Sequence, residues 1–323
     1  MDGREGLVSV VTPVYNGQDY LAAMLDSVLA QTWNDLEMIL VDDGSQDGTL
    51  SIAEQYREKF LARGFDYRIL TGPHHSASAA INRGLPWVRG EFLVWPDSDD
   101  ILEPESVEKR VEFLRAHAGY QCVRSQMRYL DERGGPAPRG ERLGPPDCER
   151  LFFPILEGQT FLCCGCYMLR TAALLRFYPL CRIPEYEVGQ NFQMLLPVLY
   201  HYPCHTIAEA LYTVRVRPDS HSRRARTRQE EEQRYAAFEA LVDELAGICG
   251  ITAPDHLRRI RLWKLRRRYA LARKYGQRAR CAAAWMEIRW IEVRSGRLKR
   301  RLGKLLENWK KGKEQTSEES RSP

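Results

Sequence analysis

Four short apolar runs punctuate the first hundred residues, each separated from the next by enough chain for one or two helices. They are Leu7–Val11, Leu36–Val41, Tyr67–Leu70 and Glu91–Trp95. Between the first two, Leu21, Met24, Leu25, Val28 and Leu29 follow the i, i+3, i+4, i+7, i+8 spacing of an amphipathic helix spanning Tyr20–Gln31. Thr49–Ala62 and Ser76–Leu85 supply further helical segments. Strands alternating with helices of this length predict βαβ units and a mainly parallel sheet in an α/β fold. In open sheets of that kind, ligands sit at the carboxyl ends of the strands.

Further along, the Gly-, Pro- and Arg-rich stretch 133–146 reads as a loop. Phe161–Leu169 reads as a strand and Gln190–Tyr200 as an apolar helix. From Arg223 the pattern turns helical and charged, and Lys311–Pro323 is too polar to pack. Three regions are therefore expected: an α/β domain over 1–225, a basic helical region over 226–313, and a disordered tail over 314–323.

An apolar content of 44% is enough for a buried core. No run of about 20 apolar residues is present, so no bilayer-spanning helix is expected. Met1–Glu5 lacks the charged and then apolar pattern of a secretory leader, which points to the cytoplasm. Nine scattered cysteines include Cys163-Cys164-Gly165-Cys166, with no partner pair at zinc-ligand spacing, so reduced core thiols are expected. Residues 256–313 hold 21 Lys and Arg against three acids, leaving 27 basic and 40 acidic residues elsewhere. The division implies an acidic-lined body and a C-terminal region that seeks anions.

Three polar clusters end three of the expected strands: Thr12-Pro13-Val14-Tyr15-Asn16, Asp42-Asp43-Gly44-Ser45 and Asp97-Ser98-Asp99-Asp100. Any one of them could be ordinary turn chemistry. All three in register with the strand pattern point instead to a site, because bunched carboxylates need a cation or hydrogen-bonding ligand. Asp97 and Asp99, two residues apart, lie on one side of an extended segment and could grip a divalent ion bridging a diphosphate. Oxygen ligands favour Mg2+ or Mn2+ over Zn2+.

These segments, with Ala80-Ile81-Asn82-Arg83-Gly84-Leu85 and Gly90-Glu91-Phe92, resemble in order and spacing the N-terminal half of the family-2 glycosyltransferases. The resemblance runs over about residues 7–225 and is strongest before 105. It implies the GT-A (Rossmann-like) fold, here a mainly parallel mixed sheet flanked by helices, with the basic helical appendage behind it. It also implies a nucleotide-diphosphate sugar donor, commonly UDP-linked, and transfer with inversion. By similarity Pro13 and Tyr15 lie against the base, and Asp43 accepts a hydrogen bond from its ring N–H. Asp99 is the direct metal ligand, and Asp97 serves the ribose or the metal. Asn16 and Asn82 fall within the matching segments and are grouped with the donor-binding residues.

The chain departs from the family at the base. The Glu-Asp pair usual in relatives, whose Asp takes the acceptor's proton, is replaced by Gln190-Asn191. An amide cannot accept that proton, so Glu185 and Glu187, nearest in sequence, become candidates beside Asn191 itself. The family's basic residue before Asn82 is also missing, being Ile81. His221, amid Arg215, Arg217 and Arg223, reads either as a diphosphate or metal contact or as a surface histidine. His74 and His75 read as a surface loop or a donor-side pair.

In the basic region, Leu262, Leu265, Tyr269 and Ala272 form one stripe, and Leu298, Leu302, Leu305 and Trp309 another. Such helices lie on an anionic membrane, pack on the catalytic body, or bind nucleic acid, the last being the least favoured. The expected protein is a glycosyltransferase of cell-surface polysaccharide or glycolipid synthesis, acting on a glycan or lipid-linked acceptor. It would work in the cytoplasm or on the inner face of the plasma membrane. The alternatives are a nucleotide-sugar-binding module without turnover and a membrane-associated adaptor.

Overall fold

The computed structural model describes residues 3–131, 135–142, 148–216 and 226–294. The chain divides into two compact units, residues 1–226 with 236–250, and residues 227–235 with 251–323.

The first unit is built on one mixed sheet. Its strands are β1 (Arg4–Val14), β2 (Leu36–Asp42), β3 (Asp66–Thr71), β4 (Gly90–Val94), β5 (Ile101–Leu102), β6 (Cys122–Leu130), β7 (Pro136–Arg142), β8 (Tyr167–Arg170) and β9 (Cys204–Arg215). They run in the order β3-β2-β1-β4-β8-β6-β9-β5, with β7 added on β6. The half formed by β3, β2, β1 and β4 is parallel. Beyond β4 the pairing is antiparallel except between β6 and β9. Every residue of β2 is buried, as expected of a central parallel strand covered on both faces.

The helices of this unit are α1 (Leu21–Leu29), α2 (Thr49–Gln55), α3 (Arg57–Arg63), α4 (Ala77–Gly84), α5 (Ser106–Ala116), α6 (Phe152–Leu156), α7 (Thr171–Leu175) and α8 (Gln190–His201). The α1 stripe is buried at Leu21, Met24, Leu25 and Val28, so its periodicity marks its core face. At Gly84 a Cβ would stand 2.8 Å from Val11 and 3.1 Å from Val41; glycine is what lets α4 lie this close to β1 and β2.

Three expectations are corrected. The Thr49–Ala62 helix breaks at Tyr56 into α2 and α3. The stretch 133–146, expected as a loop, contributes β7, which tolerates Pro136 at its first position because it lies off the main path of the sheet. The strand expected from Phe161 begins only at Tyr167, preceded by a 3-10 turn at Cys164–Cys166. All nine cysteines are free, and Cys122, Cys164, Cys166, Cys204 and Cys249 are buried.

Helix α9 (Arg228–Ile248) leads to α10 (Pro254–Lys274) and α11 (Arg278–Arg294), the latter two in the second unit. There Leu262 and Leu265 cluster with Ile291 and Ile288, and ion pairs join Arg261 to Glu287 and Arg266 to Glu292. Of the alternatives for the first stripe, packing is the one seen at Leu262, Leu265 and Ala272, which are buried. The second stripe, Leu298 to Trp309, lies outside the described residues. No helix among the described residues is long and apolar enough to cross a membrane.

Candidate active site

Parallel pairing of Val14 with Asp42 and of Val10 with Val94 brings the carboxyl ends of β2, β1 and β4 side by side. The three polar clusters emerge there, and the Cβ position of Gly17, just after Asn16, lies 3.8 Å from the Ser98 hydroxyl.

The Asp97–Asp100 turn closes with the Asp100 amide donating to the Asp97 carbonyl at 3.3 Å. Asp97 and Asp99 are half-buried and Asp100 is buried. Asp100 accepts the Arg215 backbone N–H at 2.9 Å and the Tyr212 hydroxyl. Burial first, then the charges of Asp97 and Asp99, push the Asp100 carboxyl well above the ordinary carboxylate range. The Tyr212 oxygen also accepts the Asp97 N–H at 3.2 Å. Tyr212 is itself fully buried over Gly165, where an added Cβ would fall 1.9 Å from its ring. Beneath, the Gly165 carbonyl accepts from Arg110 at 2.8 Å; burial lowers that guanidinium to about 10. Tyr212, Gly165 and Arg110 form a pedestal under the acidic turn that sequence reasoning missed.

Two partly accessible carboxylates crowded against a third meet the chemistry of a hard cation. Among the described residues no group of three or more His, Cys, Asp or Glu is arranged to enclose one.

At the end of β2 the two adjacent aspartates do different work. Asp42 accepts the backbone N–H groups of Gly44 and Ser45 at 3.2 and 3.1 Å, ordinary turn chemistry around a glycine at φ +79°. Asp43, 3% exposed, pairs with Arg83. It also contacts His74 Nδ1 at 2.9 Å and accepts the His75 N–H at 3.2 Å. The His74 ring stacks on Tyr15 with centroids 3.8 Å apart, and both rings are partly open to solvent. Asn16 takes a left-handed conformation at φ 48° and its side chain accepts from Gln46 at 2.9 Å, binding the β1 turn to the β2 turn. Pro13 pairs in register with Val41. Arg83, which the sequence reading does not single out, is the basic residue of the Ala80–Leu85 segment, two positions after Ile81. Gly72 admits it, since a Cβ there would strike the guanidinium.

The third wall starts at Gly189, at φ 70°, ahead of α8. Asn191 Oδ1 accepts the indole N–H of buried Trp95 at 3.2 Å, which seats the start of α8 beside the end of β4. Asn82 clasps the preceding segment. Its amide donates to the Ile183 carbonyl at 2.9 Å and to Glu185 at 3.1 Å, and it accepts the Ile183 N–H at 2.8 Å. Glu185 also pairs with Arg182 at 2.9 Å. The Asn82 hydrogen bond, aided by Arg182, holds its carboxyl below the ordinary value. Glu187 is exposed. His221 lies outside the described residues.

A mainly parallel mixed sheet flanked by helices, with polar clusters at neighbouring strand ends, is a glycosyltransferase fold of the GT-A type. The chain belongs to glycosyl transferase family 2, whose model matches residues 9–177, and it is a glycosyltransferase. It is 32% identical over 221 residues to EpsE of Bacillus subtilis, itself named as a glycosyltransferase, covering 68% of this chain and 77% of EpsE. It is 40% identical over 114 residues to TuaG of the same organism, named for teichuronic acid biosynthesis, covering 35% of this chain and 44% of TuaG. Among solved structures, residues 1–349 of S. aureus TarS, in complex with UDP-GlcNAc, share the fold. The TM-score is 0.62 at 22% identity, over 86% of this chain and 79% of that one.

Proposed function

We propose that this glycosyltransferase moves a sugar, with inversion, from a UDP-linked donor to a hydroxyl of a cell-surface polysaccharide or lipid-linked acceptor presented at the inner face of the plasma membrane. The observation that carries the reading is the meeting, at three adjacent strand ends, of the Tyr15–His74–Asp43 group with the pedestal-mounted Asp97–Asp100 turn. The name of TuaG and the UDP-GlcNAc bound to TarS support the same substrate class.

Tyr15 offers the base a face to stack on, and Asp43 an anionic edge for a ring N–H. Asn16 keeps the β1 turn in place between them. Asp99 and Asp97 would hold Mn2+ or Mg2+, which supplies charge neutralisation to the departing diphosphate. Asp100 does not compete for that place, because its carboxylate is engaged by Tyr212 and the Arg215 amide. The acceptor's proton needs a base. Asn191 stands at the wall but is an amide, and Glu185 is committed to Asn82 and Arg182 and held acidic. We assign the role to Glu187, exposed two residues before Gly189. Asn82 then acts by fixing that segment.

The test is release of UDP from a panel of UDP-sugars with and without Mn2+. Turnover should require the metal and vanish in Asp99→Ala; turnover surviving that substitution refutes the reading.

A further inference from the structure

Helix α11 is apolar on two opposite sides. Ile288 and Ile291 face α10, packed with Leu262 and Leu265. Across the helix Trp285, Met286, Trp290 and Val293 are exposed by 49%, 58%, 54% and 57%. Their spacing of 0, 1, 5 and 8 residues places them on one face of a 3.6-residue helix. Four large apolar side chains left in water on one face mark an interaction surface.

The charges around that face define what it meets. Neither acid of α11 opens onto it: Glu287 pairs with Arg261, and Glu292, buried, pairs with both Arg266 and Arg289. The outward side keeps Arg289, which lies 5.5 Å from the Trp285 ring and reaches back to Glu292, and Arg294, 4.6 Å from the Trp290 ring. Arg278 adds a third cation at the start of the helix. The following residues, 295–313, carry eight more Lys and Arg against Glu307 alone. A second copy of this face would set arginine against arginine, and the chain's own 295–313 segment has the same sign. A surface at once apolar and anionic complements all of these residues: the boundary between lipid headgroups and acyl chains of an acidic bilayer.

We infer that the outward face of α11 inserts shallowly into an anionic membrane, with Trp285 and Trp290 entering the interface and Arg294 meeting phosphates. This deepens the proposed membrane-presented acceptor and rests on that reading. It replaces the Leu262–Ala272 stripe, which is spent on internal packing, as the contacting surface.

The experiment is flotation of the full chain with phosphatidylcholine vesicles, with and without phosphatidylglycerol. The wild type should bind only the acidic vesicles. The double variant Trp285→Ser, Trp290→Ser should lose more than about tenfold in binding, and Arg294→Gln about fivefold. All these side chains are exposed, so an unchanged melting temperature verifies folding. Wild-type binding by the double variant overturns the inference. So does loss of a wild-type dimer in that variant without any vesicle binding, or displacement of the wild type from single-stranded DNA rather than from vesicles. The UDP-induced thermal shift, read in parallel, separates this result from the donor site: its absence would count against the proposed function, whichever way the vesicles behave.

Discussion

Replacing Tyr212 with Phe removes one oxygen atom from the pedestal and leaves the ring over Gly165 in place. Two hydrogen bonds go with that oxygen: the one it gives to the buried Asp100 carboxylate and the one it accepts from the Asp97 N–H at 3.2 Å. The hydrogen bond to Asp100 contributes about 0.5–3 kcal/mol, the upper end holding where the carboxyl is ionised, and an orphaned polar group costs about 1–3 kcal/mol when fully buried. Asp97 is only half-buried, so water recovers part of the second loss. The expected destabilisation is about 2–4 kcal/mol. For a unit of this size that lowers the melting temperature by about 5–15 °C. Differential scanning fluorimetry in EDTA reads the effect without help from a bound cation. Because the same oxygen holds the turn bearing Asp97 and Asp99, KM for the metal-bound donor should rise as well. A melting temperature within about 2 °C of wild type, with KM unchanged, would show that the pedestal neither stabilises nor positions the acidic turn.

Among the described residues, Arg83→Ala leaves Asp43 with His74 as its one side-chain partner. Partial exposure of Arg83 moderates the cost to about 1–3 kcal/mol. UDP affinity, measured by calorimetry, should fall as Asp43 loses its fixed orientation; unaltered affinity would remove Arg83 from the base site. Glu187→Gln should lower kcat by about 100-fold or more with little change in donor KM, as befits loss of a general base. Glu185→Gln should cost less than about tenfold in kcat, and the reverse ranking in steady-state assays would exchange their roles.

The parallel half of the sheet could be read from the chain because each of its strands is a short apolar run ended by turn residues, and such a run has few other ways to bury itself. The acidic turns were visible for the same reason, since carboxylates at a strand end announce themselves locally. What they do was less visible. Asp42 and Asp43 are indistinguishable in sequence, and only the direction of the chain leaving β2 decides that one caps Gly44 and Ser45 while the other faces Arg83 and His74. Tyr212 and Gly165 stand far from Asp97 in sequence, Arg110 reaches the turn only through Gly165, and no local pattern links a tyrosine on β9 to a glycine before β8.

The basic region poses the same problem at the scale of a helix. Periodicity shows that Leu262 and Leu265 share a face, but not what covers it, and the cover is Ile288 and Ile291. Once α11 is seen to spend those two residues inward, its tryptophans have no equivalent use within the helical pair. An apolar face that internal packing does not need, ringed by arginines whose neighbouring acids are turned elsewhere, is under little structural pressure to keep two exposed indoles. Their presence is accounted for if the surface they meet is apolar and anionic together, which is the condition an acidic membrane satisfies and water does not.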